Sequence, residues 1–330
     1  LKNGHTMSAQ KKFKVLVTHP EVPSKGIDLL KEECELIICE NIPPQRDEIL
    51  AKSKGVDAIF WACHEKLNAE ALDAAGMQLK VISTMSAGLD FVDIKEMKRR
   101  NFPIGHTPLV LNDAVADLAV GLMIAAGRRF EEGRRKIIDS QWVTNHHHWM
   151  LGQDIKGSTV GLIGFGGIGQ TIVKRLAGFE IGRFLYTSRR ENPKAKELCA
   201  EYVSFDYLCR ESDFIIVACP LTNETKEMIN EAAFNMMKSN CVFVNIARGQ
   251  IVDQDALYDA LKNNKIFAAG LDVMTPEPLP KESVLLSLPN CVIVPHLGSA
   301  TLNTRQAMSM LAARNILEVL KGRPLIASAY

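Results

Sequence analysis

Long apolar runs are missing from this 330-residue chain. None approaches the roughly 18 residues that a membrane-crossing helix needs, so no membrane segment is expected. The N-terminal LKNGHTMSAQKK is polar and lacks the apolar core of a secretory signal; Met7 is a candidate native start, with residues 1–6 an extension. The terminal Ser328-Ala329-Tyr330 does not match the peroxisomal tripeptide. No sign of charge is in excess either: 39 Lys and Arg against 38 Asp and Glu give a net charge of +1. That balance leaves no bulk electrostatic footprint for nucleic acid or an anionic membrane as partner. The eight cysteines form no C-x-x-C pair; most lie in apolar or strand-like surroundings and read as reduced, buried thiols in a cytoplasmic protein. Low-complexity tracts and short-period repeats are absent as well.

What is present is an alternation of short apolar runs with helical periodicity. FKVLVTH (13–19), ELIIC (35–39), AIFWA (58–62) and KVISTM (80–85) read as strands, separated by the helical patterns KGIDLLKEE, RDEILAKS and NAEALDAA. A long helical pattern from Asn112 to Trp142 follows, apolar all round in its first half and therefore expected between domains or subunits. A second series then begins with STVGLIGFGGIGQTIVKRLAG and continues through GRFLYTS, DFIIVACP, CVFVNIA, FAAGLDV and VIVPH; a last helix ends at Gly322 and Pro324. Alternation of this kind specifies parallel sheets covered by helices, hence an α/β fold with two doubly wound units.

In VGLIGFGGIGQ, Gly164, Gly166 and Gly169 have G-x-G-x-x-G spacing between an apolar strand and an amphipathic helix. That context predicts a dinucleotide site: Gly164 for the tight turn, Gly166 for close approach of a pyrophosphate, Gly169 for helix–strand packing. The phosphates would meet the helix N-terminus and its free N–H groups. The second strand ends at Ser188, followed by Arg189 and Arg190, where an NAD site usually carries an acid on the ribose 2′-hydroxyl. A small hydroxyl and two guanidinium groups suit a 2′-phosphate instead. NADP(H) is the preferred expectation; NAD(H) beside two solvated arginines is the alternative.

Three polar groups follow later strands. Arg248 lies in CVFVNIARGQIVD, Glu277 in GLDVMTPEP and His296 in CVIVPHLGSAT. One cation, one carboxylate and one imidazole suffice to reduce an α-keto acid. The cation binds the substrate carboxylate and polarises the carbonyl, the imidazolium donates a proton, and the carboxylate holds the imidazole in one tautomer. Each alone has a plainer reading as an ion pair, a loop acid or a capping histidine.

Taken together, GLIGFGGIGQ, VNIARGQIVDQDAL, AAGLDVMTPEPLP and PHLGSAT resemble the D-isomer-specific 2-hydroxyacid dehydrogenase family over essentially the whole chain. The resemblance implies a Rossmann dinucleotide-binding domain (111–298) inserted into a smaller flavodoxin-like substrate domain (1–110 and 299–330). It implies Arg248, Glu277 and His296 as the catalytic residues. Ala87 and Gly88 of STMSAGLDFVD become carboxylate-binding amides, and Ser299 joins Arg248 and His296 at the substrate. Gly167, Ile168, Pro220, Ile246, Asp272 and Gly298 join the glycines and Ser188–Arg190 at the cofactor. KVISTMSAGLDFVD, RFLYTSRR and SDFIIVACPLTNET are most similar to an animal branch whose members reduce glyoxylate to glycolate and hydroxypyruvate to D-glycerate with NADPH, as homodimers joined through the cofactor domain. QWVTNHHHWMLG departs from that branch at Asn145 and three histidines, in a region that in the family helps form the dimer. A D-3-phosphoglycerate dehydrogenase using NAD and a dehydrogenase-like corepressor without turnover stay open as alternatives. No metal is expected: three consecutive histidines cannot converge on one ion from a regular helix or strand, and HEKLN has Asn68 where H-E-x-x-H needs its second ligand.

Overall fold

A computed structural model of the chain describes residues 12–143 and 146–330. The N-terminal extension and Asn145 lie outside the described residues. Strands in chain order are β1 (Phe13–Val17), β2 (Cys34–Ile38), β3 (Ala58–Trp61), β4 (Val81–Thr84), β5 (Ile104–Gly105), β6 (Thr159–Ile163), β7 (Arg183–Thr187), β8 (Ala200–Tyr202), β9 (Phe214–Val217), β10 (Val242–Asn245), β11 (Ala268–Leu271) and β12 (Cys291–Ile293). The helices are α1 (Ser24–Glu33), α2 (Arg46–Ser53), α3 (Ala69–Ala75), α4 (Ile94–Arg99), α5 (Asn112–Gly127), α6 (Phe130–Ile138), α7 (Gly167–Leu176), α8 (Phe205–Glu211), α9 (Glu231–Met236), α10 (Gln254–Lys262) and α11 (Leu302–Leu320).

The chain divides into two compact units, 1–111 with 301–330 and 112–300. The first holds a parallel five-stranded sheet of order β2-β1-β3-β4-β5, the order of flavodoxin-like folds. Its β3 and β4 are buried at every position, as expected of parallel strands covered on both faces. One face packs on α11, whose Ala312, Ala313, Ile316, Leu317 and Leu320 meet Val15, Val17, Phe60 and Val81. Gly26 of α1 admits α11 closely: a Cβ there would lie 2.1 Å from Ser309 Oγ. The other face carries Ile49, Ala71 and Leu72 against Ile59, Trp61 and Ile82. Ser328, in the segment after α11, bridges back to Gly105 of β5.

In the second unit the sheet is seven-stranded and parallel, of order β12-β11-β10-β9-β6-β7-β8. From β6 the chain runs first to β7 and β8 on one side, then returns to β9 on the other. That reversal places a topological switch between β6 and β9, where doubly wound sheets bind their ligands. The core of one face joins Leu185, Ile215, Val217, Phe234, Phe243 and Leu257.

The long helix expected over 112–142 is instead two helices. The carbonyl of Gly127, which would continue the helix, accepts Gln153 N–H at 2.8 Å, and Arg129 turns left-handed at φ 57°. The apolar first half packs on β10, β11 and α7 within its own unit. Cysteine burial also varies more than expected: Cys199 is exposed, and Cys63 and Cys219 are half-buried. Burial pushes the Cys209 and Cys291 thiols up to about 12, which keeps them neutral.

Asn315, fully buried on α11, donates to Ser83 Oγ at 3.2 Å and to the His106 carbonyl at 3.1 Å, and accepts Ala327 N–H at 3.0 Å. It thus joins helix, sheet and C-terminal segment. Asn315→Ala leaves those groups without partners and should destabilise the protein by about 2–4 kcal/mol. Urea unfolding followed by circular dichroism checks this; a loss below about 0.5 kcal/mol would contradict it.

Candidate active site

Gly164 follows β6 directly, at φ 101°, a conformation other residues rarely adopt. A Cβ here would also lie 2.7 Å from the carbonyl of Ala218, so the turn rests against the segment leaving β9 toward Pro220. Gly169 is equally constrained, its missing Cβ falling 2.5 Å from the Gly164 carbonyl. Gly166 differs: its side-chain direction opens on empty space. The α7 N-terminus behind it has no side-chain cap and no acid in its first turn, so Gly167, Ile168 and Gly169 present N–H groups there without a competing carboxylate. Open space, uncapped amides and the positive end of a helix fit a pyrophosphate.

Beside this turn stands the segment after β7. Thr187 carbonyl accepts Gly164 N–H at 2.9 Å. Tyr186 stacks on Phe165 with ring centroids 4.1 Å apart, and its hydroxyl accepts Asn192 N–H at 2.9 Å. Asn192 Nδ2 donates to the Phe165 carbonyl at 3.0 Å. The loop carrying the two arginines is therefore fastened to the glycine turn, chiefly by Asn192, which sequence reasoning passed over. Ser188 Oγ donates to the Arg190 carbonyl at 2.6 Å, while Arg189 and Arg190 are exposed.

Three adjacent strands supply the remaining groups. Asn245 ends β10 buried and clamps the next turn: its Oδ1 accepts Ala247 N–H at 3.1 Å and its Nδ2 donates to the Arg248 carbonyl at 3.0 Å. Ile246 is buried in this turn and Arg248 is half-buried. Gly249 then passes so near the loop after β11 that a Cβ would lie 2.1 Å from the Met274 carbonyl. In that loop Glu277 is held at both oxygens. Oε1 accepts Met274 N–H at 3.0 Å, and Oε2 lies 2.8 Å from His296 Nδ1. The two side chains are 31% and 35% exposed, shielded yet reachable.

His296 follows β12 at φ 53°, a left-handed conformation in which histidine is enriched among non-glycine residues. Asp272, buried at the end of β11, fixes that turn. Its carbonyl accepts His296 N–H at 2.9 Å, and its carboxylate oxygens accept Leu297 N–H at 2.5 Å and Gly298 N–H at 2.9 Å. Burial pushes the Asp272 carboxyl above the ordinary range despite these donors. For Glu277 burial also pushes up, but the hydrogen bonds from His296 and the Met274 amide, with the charges of His296 and Arg248, outweigh it; the carboxyl lies below the ordinary glutamate range.

The family model for the D-isomer specific 2-hydroxyacid dehydrogenase, NAD binding domain, matches residues 120–298. The chain belongs to the D-isomer specific 2-hydroxyacid dehydrogenase family. A human protein named glyoxylate reductase/hydroxypyruvate reductase is 44% identical over 317 residues, 95% of this chain and 96% of its own. A Thermococcus kodakarensis protein named glyoxylate reductase is 42% identical, covering 94% of this chain and 93% of its own. Among solved structures, an NADPH-dependent glyoxylate/hydroxypyruvate reductase from Sinorhizobium meliloti, in complex with NADP and malonate, aligns with a TM-score of 0.83 at 28% identity, covering 97% of each chain. As a dehydrogenase of this family the chain binds a nicotinamide dinucleotide, and its second unit is the Rossmann domain.

The dehydrogenase's first unit holds Ala87 and Gly88 in the turn after β4. Their carbonyls are engaged, Gly88 O by Ser86 Oγ at 2.8 Å and Ala87 O by His106 Nδ1 at 3.4 Å. Among the described residues, neither of their amides donates to a protein acceptor. Ser299 is half-buried and Gly298 buried in the His296 turn. His146, His147 and His148 lie in an exposed segment.

Because the folded Glu277 carboxyl is depressed, its ionised form contributes stability at neutral pH that is lost as pH falls through its folded value. Glu277→Gln should therefore be less stable than the parent at pH 7, and the difference should close below about pH 4.3, the ordinary glutamate value. Paired urea unfolding curves across that range measure it; a constant difference would show that the charge contributes nothing.

Proposed function

We propose that this dehydrogenase reduces glyoxylate to glycolate and hydroxypyruvate to D-glycerate, with NADPH as preferred reductant and Arg248, Glu277 and His296 as its catalytic residues. The observation that carries the reading is the 2.8 Å contact of His296 Nδ1 with Glu277 Oε2, in a chain whose human and Thermococcus relatives bear the names of these reductases. When bound, the reduced nicotinamide supplies a hydride to the substrate's carbonyl carbon. Every other task falls to side chains and amides. The Arg248 guanidinium holds the substrate carboxylate and polarises the carbonyl. Ala87 and Gly88 offer amides to the same kind of carboxylate, a role supported by the lack of a protein acceptor for either N–H among the described residues. With Nδ1 committed to Glu277, Nε2 is the nitrogen that delivers a proton to the carbonyl oxygen as the C–H bond forms. The product is a hydroxyl, and the imidazole is left neutral with Nδ1–H still on the carboxylate.

Phosphate recognition rests on Ser188, in place of an acid directly after β7, and on Arg189 and Arg190 in a loop fastened to the glycine turn. Gly164, Gly166, Gly167, Ile168, Gly169, Pro220, Ile246, Asp272 and Gly298 complete the proposed cofactor contacts, with Asp272 acting through the turn its carboxylate holds. A homodimer through the cofactor domain belongs to the same reading. It is supported by Phe130, Ile137, Ile138, Trp142 and Leu151, apolar side chains left exposed on α6 and the following segment. Eight free cysteines, five of them buried, support a reducing, cytoplasmic setting.

Steady-state kinetics with both 2-oxo acids and both dinucleotides test the function; no NADPH oxidation with either acid would overturn it. His296→Ala should lower turnover by about 10²–10⁴-fold, and a loss under threefold would remove His296 from the chemistry.

Each arginine–phosphate contact is a charge-assisted hydrogen bond. Arg189→Ala or Arg190→Ala should weaken NADPH binding by about 10- to 150-fold and leave NADH nearly unchanged. Equal losses for both dinucleotides would mean that the arginines meet only solvent.

A further inference from the structure

Pro276 and Pro278 stiffen the loop on either side of Glu277, but they do not tie it to the rest of the unit. It leaves β11 at Leu271, and at Thr275 it has no strand beside it to satisfy its backbone. Thr275 does not anchor itself: its hydroxyl is buried without a hydrogen-bond partner among the described residues. A buried peptide group must nevertheless find partners. Both backbone groups of Thr275 find them in one side chain. Gln254 Nε2 donates to the Thr275 carbonyl at 2.7 Å, and Gln254 Oε1 accepts the Thr275 N–H at 3.0 Å. The amide of Gln254 thus reads Thr275 as a neighbouring strand would, with one donor and one acceptor side by side.

Gln254 is itself well fixed. It is the first residue of α10 and half-buried. Asp253 caps that helix, accepting Asp255 N–H and Ala256 N–H at 3.1 Å each, and the Asp253 amide donates to the Ile229 carbonyl at 2.9 Å. The same short stretch begins at Arg248 and passes the Met274 carbonyl at Gly249. Arg248 and the anchor of the Glu277 loop therefore share one segment of backbone. Two residues beyond Thr275, Glu277 must place one oxygen on Met274 N–H and the other on His296 Nδ1. A shift of the Thr275 peptide moves both.

We propose that Gln254 is a positioning residue of the reaction: by clasping the Thr275 peptide it sets Glu277 against His296, and it touches neither substrate nor cofactor. This rests on the reading of Glu277 and His296 as catalytic, so the test has a readout independent of turnover. Methionine matches glutamine in length but can neither donate nor accept well. Gln254→Met should lower kcat about 10- to 100-fold, the scale of a misplaced catalytic group, with the KM for the dinucleotide unchanged within twofold. In a Glu277→Gln background the same change should cost less than threefold more, because residues acting through one another are not additive.

In the full chain labelled with ¹⁵N-histidine, the Nδ1-bound proton of His296 is assigned by its loss in His296→Ala. Gln254→Met should shift or broaden that resonance. An unchanged resonance, or losses in kcat that simply add to those of Glu277→Gln, would overturn the proposal. A displaced resonance with undiminished turnover would instead uphold the positioning by Gln254 and remove the pair from catalysis.

Discussion

The contact between His296 Nδ1 and Glu277 Oε2 constrains the backbone as much as the ring. The imidazole can meet the carboxylate only if two loops leaving neighbouring strands hold fixed positions, and each loop is fixed by groups other than the pair. On the histidine side, buried Asp272 gathers three consecutive amides, two with its carboxylate and one with its carbonyl. On the glutamate side, Met274 N–H holds the second carboxylate oxygen, and Gln254 holds the peptide between. The half-exposed pair is the visible end of an arrangement of backbone bonds, most of them shielded from water and strengthened accordingly.

The parallel sheet makes this economical in elements. Strands β10, β11 and β12 are neighbours in register, with Asn245 beside Leu271 and Leu271 beside Ile293. All three chains emerge at the same edge within a few residues. Arg248, Glu277 and His296 are far apart in sequence yet follow three consecutive strand ends. Gly164, Ser188 and Pro220 likewise follow β6, β7 and β9, around the switch where the sheet reverses direction. The glycine turn and the segments beside it thus occupy one half of this edge, and Arg248, Glu277 and His296 the other.

This division explains which features were legible in the sequence. The glycine turn is a local device: its spacing is set by one strand, one turn and one helix, so it stands out without any knowledge of packing. The β-rich runs are equally local, because strands buried on both faces must be apolar at nearly every position. Arg248, Glu277 and His296 were individually ambiguous, since nothing in a linear pattern says that three strand ends are adjacent; the family resemblance supplied that. Gln254 and Asn192 were invisible for a different reason. Each bonds a distant backbone group, and a peptide carbonyl carries no mark of its residue type. The two-residue β5 and three-residue β8 are too short to show periodicity. The break between α5 and α6 escaped because it involves Gln153, distant in sequence, reaching back to the Gly127 carbonyl.

The loop after β7 has a property of its own. Its shape is made by Ser188 Oγ on the Arg190 carbonyl, Asn192 on the Phe165 carbonyl, Tyr186 hydroxyl under Asn192 and Tyr202 hydroxyl on the Ser188 carbonyl. None of these bonds uses the side chain of Arg189 or Arg190. The loop is a socket with two interchangeable fittings. Its frame would persist with other side chains at those positions, so the surface offered beside the glycine turn can be rewritten without rebuilding the turn.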